Sequence, residues 1–375
     1  MKLLLMGLGR QGYRILELLL EKKPGPVDIV DKQETALLRA EEQFGEKVQS
    51  PGKNILSLPD NERIKLLEGY SLVLDALPST ESYQLIGDCI KAGTDVVSVS
   101  FLEEDFMILD QAARDSKVRV IPDCGGAPGF SHMMAGYSVN HLRGAERVVM
   151  KVGAIPARPE PPFYHSLTWS VEDLVEEYVR PAKCRHEGII EAPDPFDTIV
   201  EEHIQGLPLQ SFLSDGARSF LTNFPDVPFM EERTLRHHGH MDYMKPFHEQ
   251  GILKPGEAAT EAEALQSRRE LARKLEAEFS SLPPEDRFIM QIEVSGPNGR
   301  HRHEYNMPYQ AESGVFGLVN SVAVTAVEAA AMILDGTVSE SGVLPLELLA
   351  SEDNFARMCR AHREQGAMVE LEVRD

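Results

Sequence analysis

Leu3-Leu4-Leu5-Met6-Gly7-Leu8-Gly9-Arg10-Gln11-Gly12 stands two residues into the chain and decides its fold class. Four consecutive apolar residues read as a strand buried on both faces. Ile15, Leu16, Leu19 and Leu20 then fall at helical spacing and predict an amphipathic helix over Gln11 to Lys22. A G-x-G-x-x-G loop between a strand and a helix is what a dinucleotide cradle needs. Gly7 permits the tight turn, Gly9 lets the backbone approach a pyrophosphate, and Gly12 lets the helix sit close to the strand. At Arg10 and Gln11 the helix N-terminus presents unpaired N–H groups and its positive dipole end to the phosphates.

The next strand, Val27 to Val30, follows the breaker Pro24-Gly25-Pro26 and ends on Asp31. An acid at that point accepts hydrogen bonds from the adenosine ribose hydroxyls and repels the extra phosphate of NADP, so NAD is the expected cofactor. Lys32 adjoins it and softens the preference. Further out, Leu72 to Leu74 is a strand before Ala76-Leu77-Pro78, and a helix runs on through Ile90. Strands over Asp95 to Ser100 and Val118 to Ile121 close the series. Apolar runs alternating with amphipathic stretches mean repeated βα units and a parallel sheet.

Beyond residue 125 the alternation stops, and prolines cluster at 156 to 162. Phe288 to Val294 reads as a half-buried strand, and Pro297-Asn298-Gly299 turns it into a partner over Arg300 to Met307. Glu257 to Phe279 reads as a charged helix with Leu271, Leu275 and Phe279 on one stripe. An alanine-rich helix from about Val315 to Leu334, ended by Asp335-Gly336, is expected to return to the parallel sheet. The expected fold is α/β: a Rossmann-type parallel-sheet domain from 1–125 and about 315–375, with an inserted α+β substrate and dimerisation domain over 126–314.

Composition narrows the partners. The 375 residues carry 38 basic and 60 acidic side chains, a net charge of -22, which repels nucleic acid and anionic membranes and favours a small-molecule partner. Cys89, Cys124, Cys184 and Cys359 lie far apart without CxxC spacing, so they read as reduced thiols. The N-terminus lacks the apolar core and cleavage site of a signal peptide, making cytoplasm the expected location. Residues 315 to 334 are the most apolar stretch, but Asn320, Ser321 and Glu328 interrupt it, so it reads as a buried helix rather than a membrane span.

Beyond the cofactor loop the sequence resembles the saccharopine dehydrogenase family, and within it the lysine 6-dehydrogenase branch. The landmarks are Asp75-Ala76-Leu77-Pro78, Val99-Ser100-Phe101, Asp123 to Gly129 (DCGGAPG), Val152 to Pro156 (VGAIP) and Tyr164 to Ser170 (YHSLTWS). Glu176-Glu177-Tyr178, Arg180-Pro181-Ala182, Ser214-Asp215-Gly216, Thr234-Leu235-Arg236 and Gly239-His240 follow in order. The resemblance implies a substrate cleft between two domains and commonly a homodimer. It also implies that Leu77, Pro78, Ser100 and Phe101 line the nicotinamide side of the cofactor, and that Arg236 anchors the carboxylate of an amino-acid substrate. A guanidinium suits that role, since it holds a carboxylate with two parallel charge-assisted hydrogen bonds. The alternative for Arg236 is an ordinary ion pair.

Departures from the family bear on the substrate. Saccharopine reductases carry acidic and thiol residues where Ala127 and Val152 stand here. Lysine 6-dehydrogenases tend to have an aromatic residue after Thr-Leu-Arg, where this chain has His237 and His238, and the family's Ser-Arg-x-Thr-Gly is replaced around Asn320.

Oxidising a primary amine to an imine requires a neutral nitrogen, hence a proton acceptor with a suitable pKa. The candidates are Asp123 at a strand end, Glu177 and His240, the first two with bland alternatives as a turn cap and a solvated helix residue. Thr168 and Trp169 are expected at the substrate, the indole either walling an aliphatic chain or serving as a core aromatic. His237, His238 and His240, with His301 and His303, have metal-like spacing, but no Cys joins them at ligand spacing and hydride transfer needs no metal, so none is expected. Three classes remain: an NAD-dependent dehydrogenase of lysine or a close diamino acid, a saccharopine- or carboxynorspermidine-type dehydrogenase or reductase, and a nucleotide-binding sensor or scaffold.

Overall fold

Unbroken apolar tetrads build the first sheet. The computed structural model describes residues 1–22, 25–52, 55–167, 169–254 and 260–374. Pro24, Thr168 and the expected helix start at Glu257 lie outside the described residues. The strands are β1 (Leu3–Met6), β2 (Val27–Val30), β3 (Val48–Gln49), β4 (Leu72–Asp75), β5 (Asp95–Ser98) and β6 (Arg119–Ile121). They join a short strand, Gly342–Val343, in an all-parallel sheet ordered Gly342–Val343, β6, β5, β4, β1, β2, β3. Every residue of β1, β2 and β4 is buried, as a sheet covered on both faces requires. The strand order reverses between β1 and β4, the switch point where ligands of doubly wound sheets bind, outside the carboxyl ends of the strands.

Helix Arg10–Lys22 buries Ile15, Leu16, Leu18 and Leu19, each side chain worth roughly 1.5–3 kcal/mol. Helix Gly317–Leu334 contains the most apolar stretch, and 89% of it is buried. Its acid, Glu328, accepts from Lys22 and from Arg357 Nε, which is how a charge is accommodated in an apolar helix.

The chain forms two units, Met1–Met133 with Val319–Gln365, and Met134–Leu318 with Gly366–Asp375. Two expected boundaries move. The first passes 125 because the turn Gly125 to Gly129 packs within the first unit: Cys124 N donates to Ser98 O at 2.8 Å and Phe130 stacks on His362 at 4.1 Å. The second moves because Met368–Arg374 does not belong with the parallel sheet. It pairs antiparallel with the 299–308 strand, with Val369 opposite Tyr305.

The second unit contributes β7 (Arg147–Pro156), β8 (Cys184–His186), β9 (Ile189–Glu191), β10 (Val200–Ile204), β11 (Leu207–Leu213), β12 (Phe229–His237), β13 (Asp286–Gly296) and β14 (Gly299–Pro308). The main path of this mixed sheet is β10, β11, β12, β7, β13, β14 and Met368–Arg374, with β8 also paired to β12 and β9 to β8. Only β12 and β7 run parallel along it. Alternation is clearer on β14, where His301, His303, Tyr305 and Met307 are buried, than on β13, which is covered from Phe288 to Ile292. Helix Glu261–Phe279 lays Leu271, Leu275 and Phe279 against Leu174, Val175 and Tyr178.

Candidate active site

In the first unit the glycine loop is held by its own backbone. Gly7 has φ 93°, and its N–H donates to Val30 O at 2.8 Å. A Cβ on Gly7 would meet Ala76 O at 2.5 Å, and one on Gly12 would meet Gly7 O at 1.8 Å. Gly9 has nothing within 4 Å of that position. Two of the glycines thus let chain meet chain, while the third keeps a space open. Helix Arg10–Lys22 starts there, so its first N–H groups face that space, and the donor set suits a pyrophosphate. Asp31 ends β2 as expected, and its carboxylate accepts from Leu8 N at 2.6 Å and Gln33 N at 2.7 Å. Lys32 is exposed and lies 3.8 Å from Glu81.

Neighbouring strand ends are tied to the same rim. Asp75, buried at the end of β4, accepts from Leu77 N at 3.0 Å, Ser98 Oγ at 2.7 Å and Ser82 Oγ. Burial raises its pKa against those hydrogen bonds. Ser100 Oγ donates to Leu77 O at 2.6 Å. Leu77 and Phe101 are half-buried, and Pro78 is exposed as the cap residue of helix Ser79–Ala92. Asp123 follows β6, is 4% exposed, and has φ 47°. A non-glycine residue held in that region is strained, and such strain gathers at functional positions.

The second unit brings together residues far apart in sequence. Arg236, near the end of β12, is 2% exposed. It donates to Glu177, to Tyr178 Oη at 3.4 Å and to Leu235 O at 2.9 Å. Those three bonds leave two of the five guanidinium N–H groups for a ligand. Glu177 ends helix Val171–Glu177. Burial pushes its carboxyl pKa up, and Arg236 opposes the rise.

Tyr178 Oη lies 2.7 Å from His240 Nε2, and His240 Nδ1 lies 2.7 Å from Phe163 O. A carbonyl only accepts, so Nδ1 carries the proton and Nε2 accepts from the tyrosine. Burial, then the Arg236 charge, lowers the His240 pKa to about 3, and both its nitrogens are engaged. His240 is therefore a weak proton acceptor at neutral pH.

His165 was not among the expected site residues. It is 1% exposed, neither ring nitrogen has a hydrogen-bond partner among the described residues, and its ring stands edge-on to His240 at 5.0 Å. Its signal was available only as a member of YHSLTWS. Trp169 is partly buried and packs on the cluster that holds Leu174 and Tyr178.

The histidines of metal-like spacing are each hydrogen-bonded within the protein. His237 Nε2 meets Pro156 O at 2.9 Å, exposed His238 meets Glu201 at 3.1 Å, and His301 and His303 both meet Ser138 Oγ, at 3.1 and 2.6 Å. Asn320 accepts from Arg14 Nε at 2.9 Å. All four cysteines are buried and free.

Residues 3–121 match the family model described as saccharopine dehydrogenase NADP binding domain, and residues 125–362 match the one described as saccharopine dehydrogenase C-terminal domain. Bovine mitochondrial alpha-aminoadipic semialdehyde synthase is 21% identical over 67% of this chain, a region spanning 28% of the bovine protein. Yeast saccharopine dehydrogenase [NADP(+), L-glutamate-forming], from Saccharomyces cerevisiae, is 21% identical over 52% of this chain and 46% of its own length. The apo structure of the L-Glu-forming saccharopine dehydrogenase from the same yeast superposes with a TM-score of 0.77 at 15% identity, covering 99% of both chains. At that identity the superposition shows the shared fold.

Proposed function

The chain belongs to the saccharopine dehydrogenase family, and we propose that it is an NAD-dependent dehydrogenase of the distal amine of L-lysine or a close diamino acid. The observation that carries this reading is the buried ion pair of Arg236 and Glu177. An α-amino acid head presents a carboxylate and an ammonium side by side, and this pair presents the complementary cation and anion. The two unused N–H groups of Arg236 receive the carboxylate, while Glu177 receives the ammonium. Tyr178 Oη accepts from the Arg236 guanidinium and is itself fixed by its bond to His240.

Bound at the glycine loop, the nicotinamide dinucleotide supplies the hydride acceptor. Asp123, on the carboxyl edge of the parallel sheet beside the β4 and β5 ends, is proposed to take the proton that leaves the amine neutral. NAD is favoured over NADP on the position of Asp31. The saccharopine-type alternative is favoured by the names of the relatives. Against it, Asn320 stands where the resemblance implies an arginine, which removes one candidate anchor for a second carboxylate.

L-Lysine set against cadaverine, the same diamine without the carboxylate, tests the reading. Wild type should prefer lysine strongly in kcat/KM, and Arg236→Ala should lose most of that preference, chiefly through KM if the anchor acts equally in ground and transition states. Arg236→Lys should rescue little, because an ammonium cannot reproduce the bidentate fork. An Arg236→Ala protein that discriminates as well as wild type removes Arg236 from the site.

A further inference from the structure

Strands β8 and β9 form a hairpin that takes no part in the site above. Cys184 pairs with Glu191, Arg185 with Ile190 and His186 with Ile189. The two turn residues, Glu187 and Gly188, have φ 48° and 82°, the mirror-image two-residue turn that matches strand twist. Side chains alternate along a strand, so Cys184 and His186 share a face, and Glu191 stands on it opposite Cys184. One ligand atom from each of the three lies within 4.8 Å of the others. His186 Nδ1 and Glu191 Oε2 are 3.3 Å apart. A tetrahedral ion with nitrogen and oxygen ligands at about 2.0 Å sets those atoms roughly 3.3 Å from each other.

A second observation concerns the other side of the imidazole. His186 Nε2 lies 2.8 Å from Glu231 Oε1, Arg233 reaches the other oxygen of Glu231 at 3.5 Å, and Phe229 stacks on the ring at 4.7 Å. Because a carboxylate accepts only, Nε2 carries a proton toward Glu231, and Nδ1 is the nitrogen turned toward Glu191 and Cys184. That is the carboxylate–histidine arrangement that orients metal ligands. Between Nδ1 and the Glu191 carboxylate there must then be either a second ring proton or a metal cation. A second proton on the ring would satisfy the two carboxylates but give Cys184 no role, whereas a divalent ion uses all three groups. The thiolate disfavours magnesium and calcium, and the mixed S, N, O set suits zinc.

We propose that Cys184, His186 and Glu191 bind one zinc ion per chain, with water in the fourth position, and that the ion clasps this hairpin.

The test uses the full chain, stripped with a chelator and titrated with zinc against a chromophoric competitor, and separately with cobalt. Wild type should take up one zinc per chain and show near-ultraviolet thiolate-to-cobalt charge-transfer absorption. Cys184→Ser should lose that absorption, while Glu231→Gln should keep it and bind zinc about 10–100-fold more weakly. Wild-type protein without the charge-transfer band, or zinc binding unchanged in Cys184→Ser, overturns the proposal. The wild-type cobalt spectrum needs no variant to fold.

Discussion

Asp31 couples the cofactor reading to the loop that carries it. Its carboxylate accepts from the backbone N–H groups of Leu8 and Gln33, which keeps a negative charge where an adenosine ribose is expected. NAD should therefore bind more tightly than NADP. Asp31→Ala should narrow the gap by about 1.5–3 kcal/mol, the worth of hydrogen bonds to a charged acceptor. Dissociation constants for both dinucleotides in wild type and variant check this, and tighter NADP binding by wild type contradicts it. Lys32 is exposed and close to Glu81, which limits what its charge offers a 2′-phosphate. Asp31 was legible because a strand end next to a glycine loop has a local signature. The Arg236–Glu177 pair was not, since its members lie 59 residues apart and only the fold joins them; each was a candidate singly.

The glycine loop, as an element, separates folding from binding. On Gly12 a Cβ would strike Gly7 O at 1.8 Å, whereas on Gly9 it would meet nothing within 4 Å. Gly12→Ala should lower stability by roughly 1–3 kcal/mol, the usual range for overpacking, and weaken dinucleotide binding with it. Gly9→Val should leave far-UV dichroism and the melting temperature close to native while abolishing dinucleotide binding. Calorimetry and a dinucleotide titration on the two variants distinguish the cases, and a Gly9→Val protein that binds normally puts the phosphates elsewhere. β1 was readable because an unbroken apolar run closed by a glycine turn marks a strand covered on both faces, and Arg10–Lys22 because it buries one face at helical period. Ser214-Asp215-Gly216 was readable only as a landmark. Its role is structural: the Glu232 carboxylate occupies the space a Gly216 side chain would take and accepts from Ser214 Oγ at 2.8 Å.

Across the whole molecule, buried imidazoles set the acid limit. Burial pushes His240, His303 and His362 down to about 3, so each stays neutral when folded and takes up a proton on unfolding below about pH 6.5. A depressed histidine contributes stability that is full above its unfolded pKa and is lost as pH falls toward its folded pKa, by up to about 1.4 kcal/mol per pH unit each. Asp286, pushed up to about 6 by burial, acts in reverse between about pH 6 and 4, where the folded state holds the extra proton. His165, His237 and His301 are held down as well, so six histidines stand against the four carboxyls that burial raises, Asp75, Glu177, Asp215 and Asp286, and the first urea midpoint should fall clearly from about pH 7.5 to about pH 5. An unchanged midpoint contradicts these burials. The last strand escaped sequence reading because an edge strand at the far end of the chain has no local marker of the sheet it joins; only its pairing with β14 reveals it.

The central claim concerns turnover, and absorbance at the reduced-nicotinamide band tests it most directly. Purified protein with NAD should reduce the cofactor with L-lysine faster than with ornithine, diaminopimelate or saccharopine, and should release ammonia as it does so. Reduction with saccharopine alone, or dinucleotide binding without turnover of any of the four, contradicts the account.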